Sequence, residues 1–154
     1  MTLEYKVKTA SKEQIYSHLK ECDGNFRPPL SSRVDLLGYS DKIFEQAVSF
    51  EAWDGNVLVG MVNIYLNDES HRTGFITNTS VLKGYMKKGV ASISLQMCLE
   101  YARHLSFSRI RLAVSRENSA AIGLYSRTGF EVIGISGENL LMEHEIAGKT
   151  TEEL

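Results

Sequence analysis

The sequence predicts a mixed α/β fold of one domain, built on a mostly antiparallel sheet. Three observations carry that prediction. The runs VSFEAW and NVLVGMVNIYL flank Asp54-Gly55, the signature of a tight hairpin. From Val90 the apolar spacing changes from alternation to a helical period. RIRLAV, residues 109–114, then alternates again, so a helix crosses over between two strands of one sheet.

Tyr5 to Thr9 reads as a short opening strand. Ser11-Lys-Glu-Gln14 is a capping box, in which two side chains satisfy each other's backbone amides, so a helix runs from there to about Cys22. The two prolines stand together in NFRPPLSSRV. They fix φ and remove amide donors, which makes residues 24–31 a loop. Ser32-x-x-Asp35 offers a cap for a second helix ending near Ala47. After the hairpin, GFITNTSVL at 74–82 is the third strand of a meander, joined across the polar NDESHRT. Val90, Ile93, Met97, Tyr101 and Leu105 recur at helical spacing and predict the buried face of a helix over 88–105. Asn118 to Arg127 is helical, and Gly129 stops it. FEVIG and NLLMEHEI close the chain as two strands, for the order β-α-α-β-β-β-α-β-α-β-β. Residues 1–147 are read as the domain and 148–154, GKTTEEL, as a polar tail.

Composition excludes several classes. With 154 residues, 43% apolar and 23% charged, the chain has material for one core. A net charge of −2 with both signs interspersed argues against binding nucleic acid through bulk charge. Cys22 and Cys98 lie far apart and the four histidines form no ligand pair, so no metal is expected. No apolar run approaches the ~20 residues of a membrane span. MTLEYKVKTASKEQ has no apolar signal region, and the expectation is a soluble cytoplasmic protein.

The chemistry concentrates in GYMKKGVAS, residues 84–92, which follows one strand and opens the helix at Val90. A helix N-terminus presents unpaired N–H groups and partial positive charge, which suits a phosphate. Gly89 admits a ligand close to the backbone, Ala91 keeps the next turn slim, and Lys87 and Lys88 add charge. Gly84 and Gly89 have the spacing of P-loop glycines, but Val90 and Ala91 stand where that loop needs its lysine and its hydroxyl. ATP or GTP hydrolysis is therefore excluded. G-x-G-x-x-G is absent as well, which leaves a backbone cradle for a pyrophosphate, or a plain strand-to-helix turn with two solvated lysines.

Two motifs separate these readings. Residues 81–130 resemble the GNAT superfamily of acyl-CoA-dependent N-acyltransferases. Its pattern [QR]-x-x-G-x-[GA] falls on Met86 to Ala91, with Gly89 and Ala91 matching and Met86 in place of the usual Gln or Arg. Its second pattern, N-x-x-A-I-x-L-Y-x-x-x-G-F, is met in full by Asn118, Ala121, Ile122, Leu124, Tyr125, Gly129 and Phe130.

The resemblance implies a sheet that splays between strands 74–82 and 109–115, with coenzyme A in the gap. Thr79, Ser80 and Val81 would pair with the pantetheine arm like an added strand. The amides of the Met86–Ser92 stretch (Met86, Lys87, Lys88, Gly89, Val90, Ala91 and Ser92) would hold the pyrophosphate. Asn118 would bond the pantetheine region, and it is equally a good helix cap. Tyr125 would be the general acid for the departing thiolate, against the plain reading of a core tyrosine. Ala113 stands where ribosomal-protein-type N-terminal acetyltransferases resemble one another in carrying glutamate, which counts against a protein N-terminus as acceptor. Glu51 and Asp68 are candidate bases acting through water, each set against the reading of a solvated charge. In the family the first helix pair and its loop build the acceptor site, which here is FRPPLSSR. Phe26 would give an apolar wall and Arg27 and Arg33 would bind an acidic group, with Tyr65 a weaker candidate.

The function expected is transfer of an acetyl group from acetyl-CoA to a small-molecule primary amine, by direct attack and without a metal. The alternatives are a protein or peptide amine as acceptor, or a non-catalytic acyl-CoA-binding module. Neither nucleic acid nor membrane is expected as a partner, and a homodimer is left open.

Overall fold

The computed structural model describes residues 2–26 and 28–146. Arg27 and the tail 148–154 lie outside the described residues, as do Met1 and Ala147 at the ends of the expected domain.

α1 (Lys12–Cys22) starts as its capping box dictates. The Ser11 hydroxyl accepts from the Gln14 amide at 3.1 Å, and the Gln14 side chain accepts from the Ser11 amide at 2.9 Å. α2 (Leu36–Gln46) is capped by Asp35 alone, which accepts from the Gly38 amide at 3.1 Å. Ser32 is not part of that cap. It ends a 3₁₀ turn, Leu30–Ser32, and its hydroxyl donates to the Pro29 carbonyl. The prolines force this extra turn before the chain can extend at Asp35 and enter the helix.

The strands are β1 (Glu4–Val7), β2 (Val48–Asp54), β3 (Val57–Asp68), β4 (Thr73–Val81), β5 (Arg109–Ser115), β6 (Glu131–Ser136) and β7 (Asn139–Glu145). They form one seven-stranded sheet in the order β1-β2-β3-β4-β5-β7-β6. Only β4 and β5 pair in parallel, across the crossover helix α3 (Val90–His104). The β2–β3 turn sits one residue later than Asp54-Gly55 suggests. Asp54 pairs with Val57, so Gly55 and Asn56 form the loop, and Gly55 supplies the positive φ of 60°.

The alternation of β3 over Met61 to Ile64 divides its side chains between the two faces of the sheet. Met61 packs with Ile15, Leu19, Leu30 and Ile43 beneath α1 and α2. Val62 and Ile64 pack with Leu95, Leu99, Leu112 and Phe130 beneath α3 and α4 (Ser119–Arg127). The buried face of α3 keeps Val90 but is rotated away from the rest of the expected stripe. Val90, Ser94, Leu95, Cys98, Leu99 and Ala102 face the sheet, while Ile93, Tyr101 and Leu105 are exposed and Met97 is half-buried. A helix close against a sheet needs small residues at the contact, and Ser94, Cys98 and Ala102 meet that need. Tyr101 instead lays its ring edge-on to Phe50 on the flank.

One feature of the ladder positions the site. β4 and β5 pair only from Thr73 with Arg109 to Ile76 with Leu112. Beyond Ile76, β4 stays with β3 as far as Val81, and β5 stays with β7 as far as Ser115. The sheet opens there, and Thr77 forms a bulge, since Asn63 pairs with Asn78 while Ile64 pairs with Ile76.

Candidate active site

The opening between β4 and β5 is a cleft of about 330 Å³. β4 contributes Thr77, Asn78 and Thr79; β5 contributes Ala113 and Ser115; α4 contributes Asn118 and Tyr125. The loop after α1 closes the mouth with Phe26, Pro28 and Arg33, and α2 adds Tyr39. The β5-facing edge of β4 has no partner strand from Thr77 to Val81, so an extended ligand can add there as a strand does.

Tyr125 is buried on the α3–α4 face. Its hydroxyl donates to Thr79 Oγ1 at 2.9 Å. Burial pushes the phenol up to about 12, against a smaller opposing effect of the Thr79 bond. It is therefore a protonated donor throughout the neutral range. Asn118 caps α4, its Oδ1 accepting from the Ala121 amide at 3.1 Å, which leaves its Nδ2 donors for the cleft. The cap and a ligand contact use different atoms.

The turn before α3 is shaped for an anion. Lys87 has φ +62° and Gly89, the cap residue, has φ +81°. Left-handed residues in a turn can gather N–H groups to one side as an anion nest does, and the free first-turn amides of α3 follow directly. Met86, Lys87, Lys88, Gly89 and Ser92 are exposed, and no atom lies within 4 Å of where a Gly89 Cβ would stand. Val90 differs from them. Its side chain is core, against Gly60, so only its amide faces outward.

The loop after α1 holds its shape through Asp23. Its carboxylate accepts from the Ser31 amide and the Ser31 hydroxyl, both at 2.7 Å, and these bonds hold its carboxyl below the usual range. Phe26 packs half-buried against the core beneath α1 and α2 and against a smaller cluster of Cys22, Ala52, Val59, Leu82 and Val90. Arg33 is exposed and has no carboxylate partner among the described residues.

Tyr65 does not line the cleft itself, although its hydroxyl lies close to Thr77, which does. It lines an adjoining groove beyond Phe75, with Lys42 Nζ 5.2 Å from its ring centroid. Ser80 and Val81 contribute backbone only, since the Ser80 hydroxyl is bonded to His18 and Val81 packs against the Leu82 cluster. Glu51 corrects the expectation of a solvated carboxylate. It is fully buried and accepts from the Thr9 and Ala10 amides, the Thr9 hydroxyl and the Trp53 indole, tying β1 and α1 to β2. Asp68 sits in the exposed β3–β4 turn with Ser70 and His71. Neither lines the cleft, and no described carboxylate does.

Sequence reasoning missed Tyr39, Thr77 and Asn78. The Tyr39 hydroxyl donates to the Thr77 carbonyl at 2.8 Å and meets Thr77 Oγ1 at 2.7 Å, so α2 pins the bulge. The signal was ITNTS itself, polar side chains inside a central strand that is otherwise core.

The acetyltransferase (GNAT) family profile matches residues 12–130, more than half of the chain, and the chain belongs to that family. It is 31% identical over 108 residues to GCN5-related N-acetyltransferase 6, chloroplastic, of Arabidopsis thaliana. That match covers 70% of this chain and only 36% of the relative, so the chain spans about a third of the relative's length. The fold is that of PaiA N-acetyltransferase from Thermoplasma acidophilum in complex with coenzyme A, at TM-score 0.77 and 15% identity, covering 95% of this chain and 100% of that one. It is also that of the ribosomal-protein-S18-alanine N-acetyltransferase from Escherichia coli, at TM-score 0.75 and 14% identity, covering 93% and 94%. Among the described residues no helix is long and apolar enough to cross a membrane.

Proposed function

We propose that this chain transfers the acetyl group of acetyl-CoA to the primary amine of a small acceptor that carries an acidic group. The observation that carries the reading is the composition of the cleft. Its walls combine an unpaired strand edge, a protonated phenol and one described cation, Arg33, with no described carboxylate. The strand edge of Thr79 to Val81 accommodates the pantetheine arm, and the nest from Met86 to Ser92 accommodates the pyrophosphate, with Lys87 and Lys88 in support. Arg33 pairs with the acid of the acceptor, and Phe26 and Pro28 wall its apolar part.

The amine nitrogen bonds to the thioester carbonyl carbon, the C–S bond breaks, and the nitrogen gives up a proton to water. The thiolate takes the proton of Tyr125, which solvent restores. A neutral amine attacks a thioester without Lewis-acid help, so no metal enters the step. With no described carboxylate in the cleft, the acceptor arrives already deprotonated. A panel of amines with and without acidic groups, followed by thiol release, tests the reading. Turnover confined to acid-bearing small amines is expected. Turnover of peptide N-termini alone would overturn the acceptor class, and no acetyl-CoA binding by calorimetry would overturn the reading as a whole.

A further inference from the structure

A chain of buried polar side chains joins α1 to β4, β3 and β2, and Asn78 in its middle lines the cleft. His18 Nδ1 lies 2.9 Å from the Leu58 carbonyl, and His18 Nε2 lies 2.9 Å from Ser80 Oγ. Asn78 Nδ2 lies 2.9 Å from both Ser80 Oγ and Asn63 Oδ1, and Asn63 Nδ2 lies 2.7 Å from Ser49 Oγ. His18, Ser49, Asn63, Asn78 and Ser80 are all buried.

The direction of every bond in this chain is determined. A carbonyl only accepts, so His18 Nδ1 carries the hydrogen that meets Leu58. Burial keeps the ring neutral, its pKa lowered to about 4, so Nε2 accepts. The Ser80 hydroxyl must therefore donate to His18, and its oxygen receives an Asn78 hydrogen. The second Asn78 hydrogen goes to Asn63, on the β3 side, away from the opening. An inverted Asn78 amide would set its oxygen against Asn63 Oδ1 and leave Ser80 without its donor. Asn78 lines the cleft, and no described residue donates to its Oδ1.

We infer that Asn78 Oδ1 accepts a hydrogen bond from the acceptor amine and aims its lone pair at the thioester. His18, Ser80 and Asn63 are positioning residues that keep this oxygen turned inward. An amide oxygen orients an N–H without removing a proton, which suits a cleft whose titratable groups among the described residues are Arg33 from the loop, Tyr39 from α2 and Tyr125 from α4. His18 reaches it only through Ser80.

The inference rests on the amine-acetylation reading above, and the test separates the two. Asn78→Ala should lower kcat/KM for the amine about 10-fold, the loss of one hydrogen bond in a desolvated site. Coenzyme A affinity by calorimetry and acceptor-free thioester hydrolysis should stay within about twofold. Asn78→Asp returns an oxygen and adds a base, so it should recover amine turnover relative to Asn78→Ala. It should also move the rising limb of rate against pH to lower pH, which a merely structural role would not do. Unchanged amine kinetics in Asn78→Ala, or losses of coenzyme A affinity and hydrolysis in proportion to the amine loss, would overturn the assignment. Should Asn78→Ala fail to fold, an unmoved pH limb in Asn78→Asp overturns it alone. A wild-type protein that acetylates no amine in the panel overturns both readings; an active wild type with an equally active Asn78→Ala overturns only this one.

Discussion

Tyr125→Phe isolates the leaving-group step. The ring remains, so its packing against Phe130, 5.7 Å between centroids, is kept. What is lost is the hydroxyl that donates to Thr79 Oγ1 at 2.9 Å. One such bond contributes about 1 kcal/mol to stability, so the variant should fold and melt slightly lower. The kinetic effect follows from the leaving group. General acids are worth roughly 10²- to 10⁴-fold. A thiol has a pKa of about 8.5, so its thiolate departs with less help than an alkoxide and the effect belongs at or below the low end of that range. We expect kcat to fall about 10-fold or more, equivalent to about 1.4 kcal/mol or more of barrier. The assay is amine-dependent thiol release at saturating acetyl-CoA, with coenzyme A affinity measured in parallel and expected to be nearly unchanged. Equal kcat for the two proteins would refute the acid role. Because burial holds the phenol at about 12, Tyr125 itself should put no limb in the neutral pH profile.

The remaining predictions concern stability and the acceptor. His18 stays neutral in the fold, with its pKa lowered from 6.5 to about 4, so the unfolded chain binds a proton that the folded chain refuses. Stability should therefore fall as pH drops through that window, by up to about 3 kcal/mol, and urea midpoints of wild type and His18→Gln should differ in slope there. Identical slopes would remove His18 as the cause. Gly129 has φ +105°, and a Cβ would lie 2.9 Å from the His144 ring. Gly129→Ala should cost about 2 kcal/mol or more in thermal unfolding, and an unchanged melting temperature would contradict that. Arg33→Ala should raise KM about 10-fold for an acid-bearing amine and leave an uncharged amine unaffected; equal changes for both would dissociate Arg33 from the acid.

Elements were legible where their cause is local. The Ser11 box, the arrest at Gly129 and the glycine-containing turn into the helix at Val90 are written in a few adjacent residues, and the structure has each of them. Misreadings arose where a distant partner decides. Ser32 looked like a cap because of its spacing to Asp35, but the prolines before it impose a turn of their own. Ile93, Met97, Tyr101 and Leu105 looked like a core stripe because they are apolar and recur at helical spacing. Packing rotated α3 so that Ser94, Leu95, Cys98, Leu99 and Ala102 meet the sheet instead. Glu51 looked solvated because carboxylates usually are, yet the β1–α1 junction supplies enough donors to bury it.

By itself the sequence determined the order of elements, the glycine turn opening α3, and the family motifs around Asn118 and Tyr125. Backbone conformation and hydrogen bonding within a few residues suffice for these. The family motifs implied a splay between these two strands, but tertiary structure alone decided at which residue it begins, because the pairing of β4 with β5 ends at Ile76 and Leu112, residues distant in the chain. It alone also decided the direction of the Asn78 amide. That direction follows from the Leu58 carbonyl on β3 through a histidine on α1 and a serine on β4. No spacing rule carries such information, because each bond in that chain acquires its direction only when three separate elements pack.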